Sequence, residues 1–320
     1  MTNAQPLVRD RVDAMRTLGT DVSGTDKAFD ALADAGLAGW KVDKQQLHFP
    51  DGKPNSGVYG LRRGNGMPLH GISVGSRYQV IQYEQNAALL DAVRQETDGE
   101  FDRAGSLHGG TRAFISIALA DPVILGGGDP VRGYIVAFMG HGNVANRFAP
   151  TAVRVFCENQ ESHITRGNKH TVTIRHTTKA EERMKIARRT LIESVAAFRE
   201  LAEEAQRMAS KQLTDATFQG IVDRLYPKTK DSGRAATEYD NRMRTMRYLF
   251  NDSPTNENIA GTVWGGLQAV YEYIEYHSRV RGGDGTDPNY LRAERSLIGV
   301  STSTDRDRAY SAFTELLTAA

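Results

Sequence analysis

The chain has 320 residues, 40 Lys and Arg against 39 Asp and Glu, a net charge of +1 and one cysteine, Cys157. One thiol excludes a disulfide framework and any multi-cysteine metal site, and 39% hydrophobic with 25% charged residues excludes a disordered chain. No apolar run reaches the roughly 18–20 residues that cross a bilayer, and the opening MTNAQPLVRDRVDAMRTLG lacks the apolar core of a secretory signal. The expectation is therefore a cytoplasmic protein with no membrane partner.

Residues 1–36 read as a helical lead-in. From 37 to 177 the pattern is strand-rich. Residues 40–49 alternate in part, with Trp40, Val42, Lys44, Gln46 and His48 on one face, and Asp51-Gly52-Lys53-Pro54 then marks a turn. Val58–Arg63 and Leu69–Gln82 predict two further extended segments, and Glu84–Thr97 predicts a short helix with Ala87, Leu90, Ala92 and Val93 as its apolar stripe. Strand character returns at Phe101–Ala120, where Phe114–Leu119 is apolar enough to be covered on both faces. Gly133–Gly140, Val153–Cys157 and His170–His176 complete the β-rich half.

From 178 to 320 the period becomes helical. Met184, Ala187, Leu191, Val195, Phe198, Ala202, Ala205 and Ala209 recur every three or four residues, which predicts one amphipathic helix over Lys179–Lys211. Thr214 is placed to cap a helix ending before Pro227. Asp231–Phe250, Thr262–His277, Tyr290–Leu297 and Thr304–Leu317 follow as helices. Strands first and helices afterwards define an α+β fold.

Familiar chemistries fit poorly. Gly126-Gly127-Gly128-Asp129-Pro130 lacks the Gly-Lys-Ser/Thr ending of a phosphate loop, and Gly105–Gly110 lacks dinucleotide spacing, so hairpin turns account for both. His163, His170 and His176 match no usual ligand spacing, even with Glu158 and Glu161 nearby, so no metal or other cofactor is expected. Cys157, on a strand-like run, reads as a small buried side chain rather than a nucleophile with His141 or His163.

Several strings resemble the phage- and plasmid-borne family called domain of unknown function 932: GWKV at 39–42, VGSRYQVIQ at 74–82, AGSLHGGTRAFISIAL at 104–119, RVFCENQ at 154–160, IRHT at 174–177 and TVWGGLQAVYEYIEY at 262–276. Two departures stand out. The family's early Trp-His-Gly-Leu-Gly string is reduced to Leu18-Gly19, and its Thr-Leu after Cys-x-Asn becomes Gln160-Glu161. The resemblance implies a mobile-element setting in a bacterial cytoplasm and assigns no activity. At the level of fold, three β segments feeding a short helix are similar to the core of the Rad52-like single-strand annealing proteins of phages. That likeness implies single-stranded DNA as partner and a homo-oligomeric ring or helical filament.

Charge by segment sharpens this expectation. Residues 131–180 carry Arg132, Arg147, Arg154, Arg166, Lys169, Arg175 and Lys179 against only Glu158 and Glu161, whereas 251–320 are acidic. A basic stretch of this kind suits a phosphate backbone, and aromatic side chains among arginines suit stacked bases. The expected nucleic-acid-binding residues are Arg62, Arg63, Arg77, Tyr78, Arg112, Arg132, Arg147, Phe148, Arg154, Arg166, Lys169 and Arg175, with no catalytic residue. Tyr83 and Phe156 are further stacking candidates. The alternative is a self-assembling or protein-interaction accessory of a mobile element, such as a modulator of host defence. An enzyme built on the His141–His176 region is a third reading.

Overall fold

The computed structural model describes residues 14–120, 122–154, 160–161, 171–280, 287–298 and 300–318. Short elements lead in: α1 (Ala14–Leu18), β1 (Thr20–Asp21) and α2 (Ala28–Asp34). The three extended segments expected next become β2 (Val42–His48), β3 (Pro54–Arg63) and β4 (Pro68–Gly75), a separate antiparallel sheet of order β2-β3-β4. Its inward positions, Val42, Leu61, Leu69 and Val74, form their own small core. A 3₁₀ turn at Tyr83–Asn86 then runs into α3 (Ala87–Glu96).

The apolar stretch 101–120 folds into two strands, β5 (Glu100–Leu107) and β6 (Arg112–Ala118), joined by a tight turn at His108–Gly110. β7 (Val123–Leu125), β8 (Asp129–Gly140), β9 (Asn146–Arg154), β10 (Gln160–Glu161) and β11 (Val172–Ile174) follow. The main sheet runs β1-β5-β6-β8-β9-β10, with β7 beside β8 and β11 beside β9, and every pairing is antiparallel. Both glycine-rich strings are hairpin turns, since Leu107 faces Arg112 and Leu125 faces Asp129.

The helical half comprises α4 (Ala180–Ser210), α5 (Asp215–Leu225), α6 (Gly233–Asn251), α7 (Val263–Glu272), α8 (Pro288–Ile298) and α9 (Val300–Thr318). The Thr214 hydroxyl caps α5 by accepting from Thr217 N at 3.2 Å. α4 lays Ala187, Leu191, Phe198, Leu201 and Met208 against the sheet and the later helices. All ten residues of α7 are buried. A Cβ on Gly266 would stand 2.5 Å from Leu213 and 2.7 Å from Phe313, so only glycine lets α7 lie this deep.

One hydrophobic cluster runs from Val22 through the sheet to Phe313, continuous across the change from strand to helix. A polar tie joins the same halves. The buried Asp129 carboxylate, at the start of β8, accepts from Trp264 Nε1 at 2.9 Å and Asn258 Nδ2 at 3.2 Å.

Candidate nucleic-acid interface

Opposed residues in an antiparallel ladder point to the same side of the sheet. On the main sheet, Arg112 faces Gly140, Phe114 faces Phe138, and Phe138 faces Arg147, which in turn faces Thr173 of β11. Arg132 lies on that same side, in step with Tyr134, Val136 and Phe138 along β8. Three arginines that the chain separates by up to 35 residues are thus carried by neighbouring strands onto one face. α1 and α8 cover part of it, packing Met15, Leu18, Leu297 and Ile298 on Phe114, Tyr134 and Val136, and the arginines are half-buried.

The electrostatics of this face are mixed. Asp102 sits among Arg103, Arg16 and Arg132; burial raises its carboxyl above the ordinary range while those cations oppose the rise. The Arg132 Nε is buried with no hydrogen-bond partner.

The same register overturns one stacking candidate. Phe148 faces Ala137 and Val172 on the side packed under α4 and is 0% exposed, so it offers no surface to a base. Its neighbour Arg147 takes the other side because adjacent strand residues alternate. Arg154 pairs with Val131 in the backbone ladder. Its side chain lies outside the described residues, as do Arg166, Lys169, Phe156, Cys157, His163 and His170.

The remaining candidates gather where the small sheet meets the main one. Arg62 is exposed and closes its own turn, donating from Nε to Gly66 O at 2.6 Å and from Nη1 to Gln45 Oε1 at 3.3 Å. Arg63 lies 3.8 Å above the Trp40 ring and donates to Gly109 O at 2.9 Å, locking β3 to the β5–β6 hairpin. A Cβ on Gly110, whose φ is +86°, would overlap that guanidinium.

From Arg63 a continuous stack crosses the junction. Trp40 tilts against Tyr83 at 5.7 Å, Tyr83 stacks on His141 at 4.8 Å, His141 tilts against His176 at 6.3 Å, and His176 stacks on Tyr78 at 4.8 Å. Tyr78 is therefore half-buried with one face occupied, and its hydroxyl accepts from Gly142 N at 2.9 Å. Burial pushes that hydroxyl's pKa up to about 12. Arg77 and Arg175 flank the Tyr78–His176 end and are exposed.

His141 is 2% exposed, and its Nδ1 has no hydrogen-bond partner. Burial, then the charges of His176 and Arg63, push its pKa down to about 4. His176 points Nδ1 at Gln79 O (3.2 Å) and Nε2 at Val144 O (3.0 Å), although a neutral imidazole has one N–H. Burial lowers its pKa too, against the pull of those carbonyls. Among the described residues no three His, Cys, Asp or Glu side chains come together as a metal site.

Arg63, Tyr78 and Tyr83 thus meet His141 and His176 in one place, which sequence spacing does not reveal. Sequence reasoning misses Trp40 as a member of the stack, and also the buried Asn86–Asn146 pair (3.1 Å) beside it, where Asn146 Oδ1 also accepts from Gly140 N. The GWKV string is the only pointer to Trp40; the two asparagines give none.

Residues 70–297, which carry β4 to β11 and most of the helical half, match the model of a family described as a domain of unknown function (DUF932). The chain belongs to that family. No curated protein and no solved structure matches it. The DUF932 match takes in Tyr78, Tyr83, His141, His176 and the three sheet-face arginines, and it excludes Trp40 and Arg63. No helix among the described residues is long and apolar enough to cross a membrane.

Proposed function

We propose that this DUF932 protein binds single-stranded DNA through the main-sheet face bearing Arg112, Arg132 and Arg147, in recombination or replication of a mobile element. The observation that carries the reading is the shared face of those three arginines, which neighbouring strands bring together as a basic surface for phosphates. Arg77 and Arg175, exposed at the junction, extend the basic surface. Strand annealing by an oligomer is the finer form of the proposal.

Fluorescence anisotropy with a labelled single strand of about 30 nucleotides tests it across a salt series. Expected is a log–log fall of affinity with salt. Arg112→Ala, Arg132→Ala and Arg147→Ala should each make the slope shallower by about 0.7, the value of one neutralised phosphate on a single strand. No binding at low salt, or a flat salt response, refutes the proposal.

A second reading, self-assembly or protein interaction, has its own support. An apolar groove of about 400 Å3 lies between α3 and α4, lined by Ile81, Leu89, Ala92 and Met184, and Ile186 on the same helix is 64% exposed. A stable dimer by light scattering, broken by Ile186→Glu without change in DNA affinity, would favour it.

A further inference from the structure

The helical half holds a second site, remote in sequence from the sheet-face arginines. α7 ends in a turn of π-helix, Tyr273–His277, in which Ser278 N donates to Tyr273 O five residues back at 2.7 Å. Such turns are rare and recur at functional sites. This one forms a wall of a cavity of about 430 Å3, a size suited to a small organic ligand. α6, α8, α9 and the end of α5 supply the other walls.

Three arginines from separate segments line the cavity: Arg242, Arg279 and Arg295. Two carboxylates, Glu238 and Asp305, line it as well, but each has an arginine partner from outside the lining. Arg234 holds Glu238 at 2.9 Å, and Arg308 stands 3.7 Å from Asp305. The lining arginines are therefore in excess. Arg279 shares Glu238 at 3.6 Å. Arg242 and Arg295 make no ion pair with a described residue.

Both are nevertheless held in place. Arg242 lies 4.8 Å from the centre of the Tyr226 ring and donates from Nε to Tyr273 Oη at 3.4 Å, leaving its terminal nitrogens uncommitted. Arg295 grips the π-turn, donating to Ile274 O at 3.2 Å, to Ser278 Oγ and to Arg279 O at 3.0 Å, while its Nε is buried without a partner. Burial, followed by the charge of Arg306, makes its cationic form costlier than usual. Asp305 attracts both guanidinium groups without forming an ion pair with either, so three lining arginines face two carboxylates. A fixed, partly desolvated cluster with that excess of positive charge matches an oxyanion ligand, and a planar arginine fork suits phosphate oxygens.

We propose that this cavity binds a phosphate-bearing small molecule, with Arg242 and Arg295 holding the phosphate and Tyr226 and Tyr273 flanking its organic part. The site is independent of the DNA-binding reading and stands or falls separately.

Calorimetric titration of the full chain with phenyl phosphate, inorganic phosphate and phenol tests it. Phenyl phosphate is expected to bind best, inorganic phosphate more weakly and phenol not at all. Arg242→Ala should weaken phenyl phosphate at least about tenfold, the scale of a single charge-assisted hydrogen bond, with Arg189→Ala on the exposed face of α4 unchanged. Arg242→Lys, which keeps the charge and removes the fork, covers the case in which Arg242→Ala does not fold. Absence of phosphate and phenyl phosphate binding at millimolar concentration overturns the proposal. So does equal binding of phenol, or full affinity in a folded Arg242→Ala or Arg242→Lys protein.

Discussion

His141 stacks on Tyr83 with ring centroids 4.8 Å apart and planes 24° apart, inside a junction that leaves its Nδ1 no hydrogen-bond partner. Burial, with the charges of His176 and Arg63, keeps the imidazole neutral, and its pKa falls from 6.5 to about 4. Above pH 6.5 folded and unfolded chains are alike in holding it neutral. Between there and about pH 4 the unfolded chain takes up a proton that folded His141 refuses, so stability is lost as pH falls through that window. The loss is on the order of 3 kcal/mol once both states are charged. Urea midpoints at about pH 7.5 and about pH 4.5 should differ less in His141→Phe than in the wild type. An unchanged difference would refute the assignment.

Gly110→Ala should destabilise the protein by about 2 kcal/mol. The added methyl meets Arg63 and the Trp40 ring, and the backbone is left-handed there. Arg63→Ala, which empties the space but forfeits the cation–π contact, should cost only about 1 kcal/mol. The double variant should be milder than the sum of the two, and a double-mutant cycle by chemical denaturation measures it.

Asp129→Ala should cost about 3 kcal/mol, because it takes the acceptor from the buried Trp264 indole and from the half-buried Asn258 amide. In a Trp40→Phe background, leaving Trp264 as the only tryptophan, emission should change with Asp129→Ala and much less with Asp129→Asn, which retains one carbonyl acceptor. An unmoved spectrum would count against the bond.

Arg306 and Glu275 form an ion pair at 2.9 Å with both side chains shut away from water. Removing one partner takes this ion pair from a charge that stays buried, so Arg306→Met or Glu275→Leu should each cost about 3–5 kcal/mol. Together the two substitutions should recover much of that loss in thermal or chemical unfolding. Additive losses would show that the charges act separately.

What repeats locally is most legible in the sequence. Steps of three and four residues locate α4 to within a residue at each end, and Thr214 announces the start of α5. The run Phe114–Leu119 reads as covered on both sides, and it is buried throughout. What fails depends on facing. In Asn-Arg-Phe-Ala-Pro-Thr of β9 polar and apolar residues do not alternate, so nothing local tells that Arg147 points one way and Phe148 the other. Nor does spacing bring His141 to His176, whose contact requires the segment beyond β11 to return against the end of β8. The Arg242–Arg295 cavity is equally hidden, since its residues come from four helices and a π-turn that reads as ordinary helix.

The tie between Asp129 and Trp264 also has a consequence in time. The two residues are 135 positions apart, so a growing chain exposes the β7–β8 hairpin long before its partners leave the ribosome. Until α7 emerges, the Asp129 carboxylate lacks the Trp264 donor, and the sheet side beneath α4 lacks its later helical neighbours. Contacts of such span delay folding because the intervening loop must close first. The β-rich half therefore waits on the last third of the chain, and a version ended after β11 would lack both the Trp264 and Asn258 donors to Asp129.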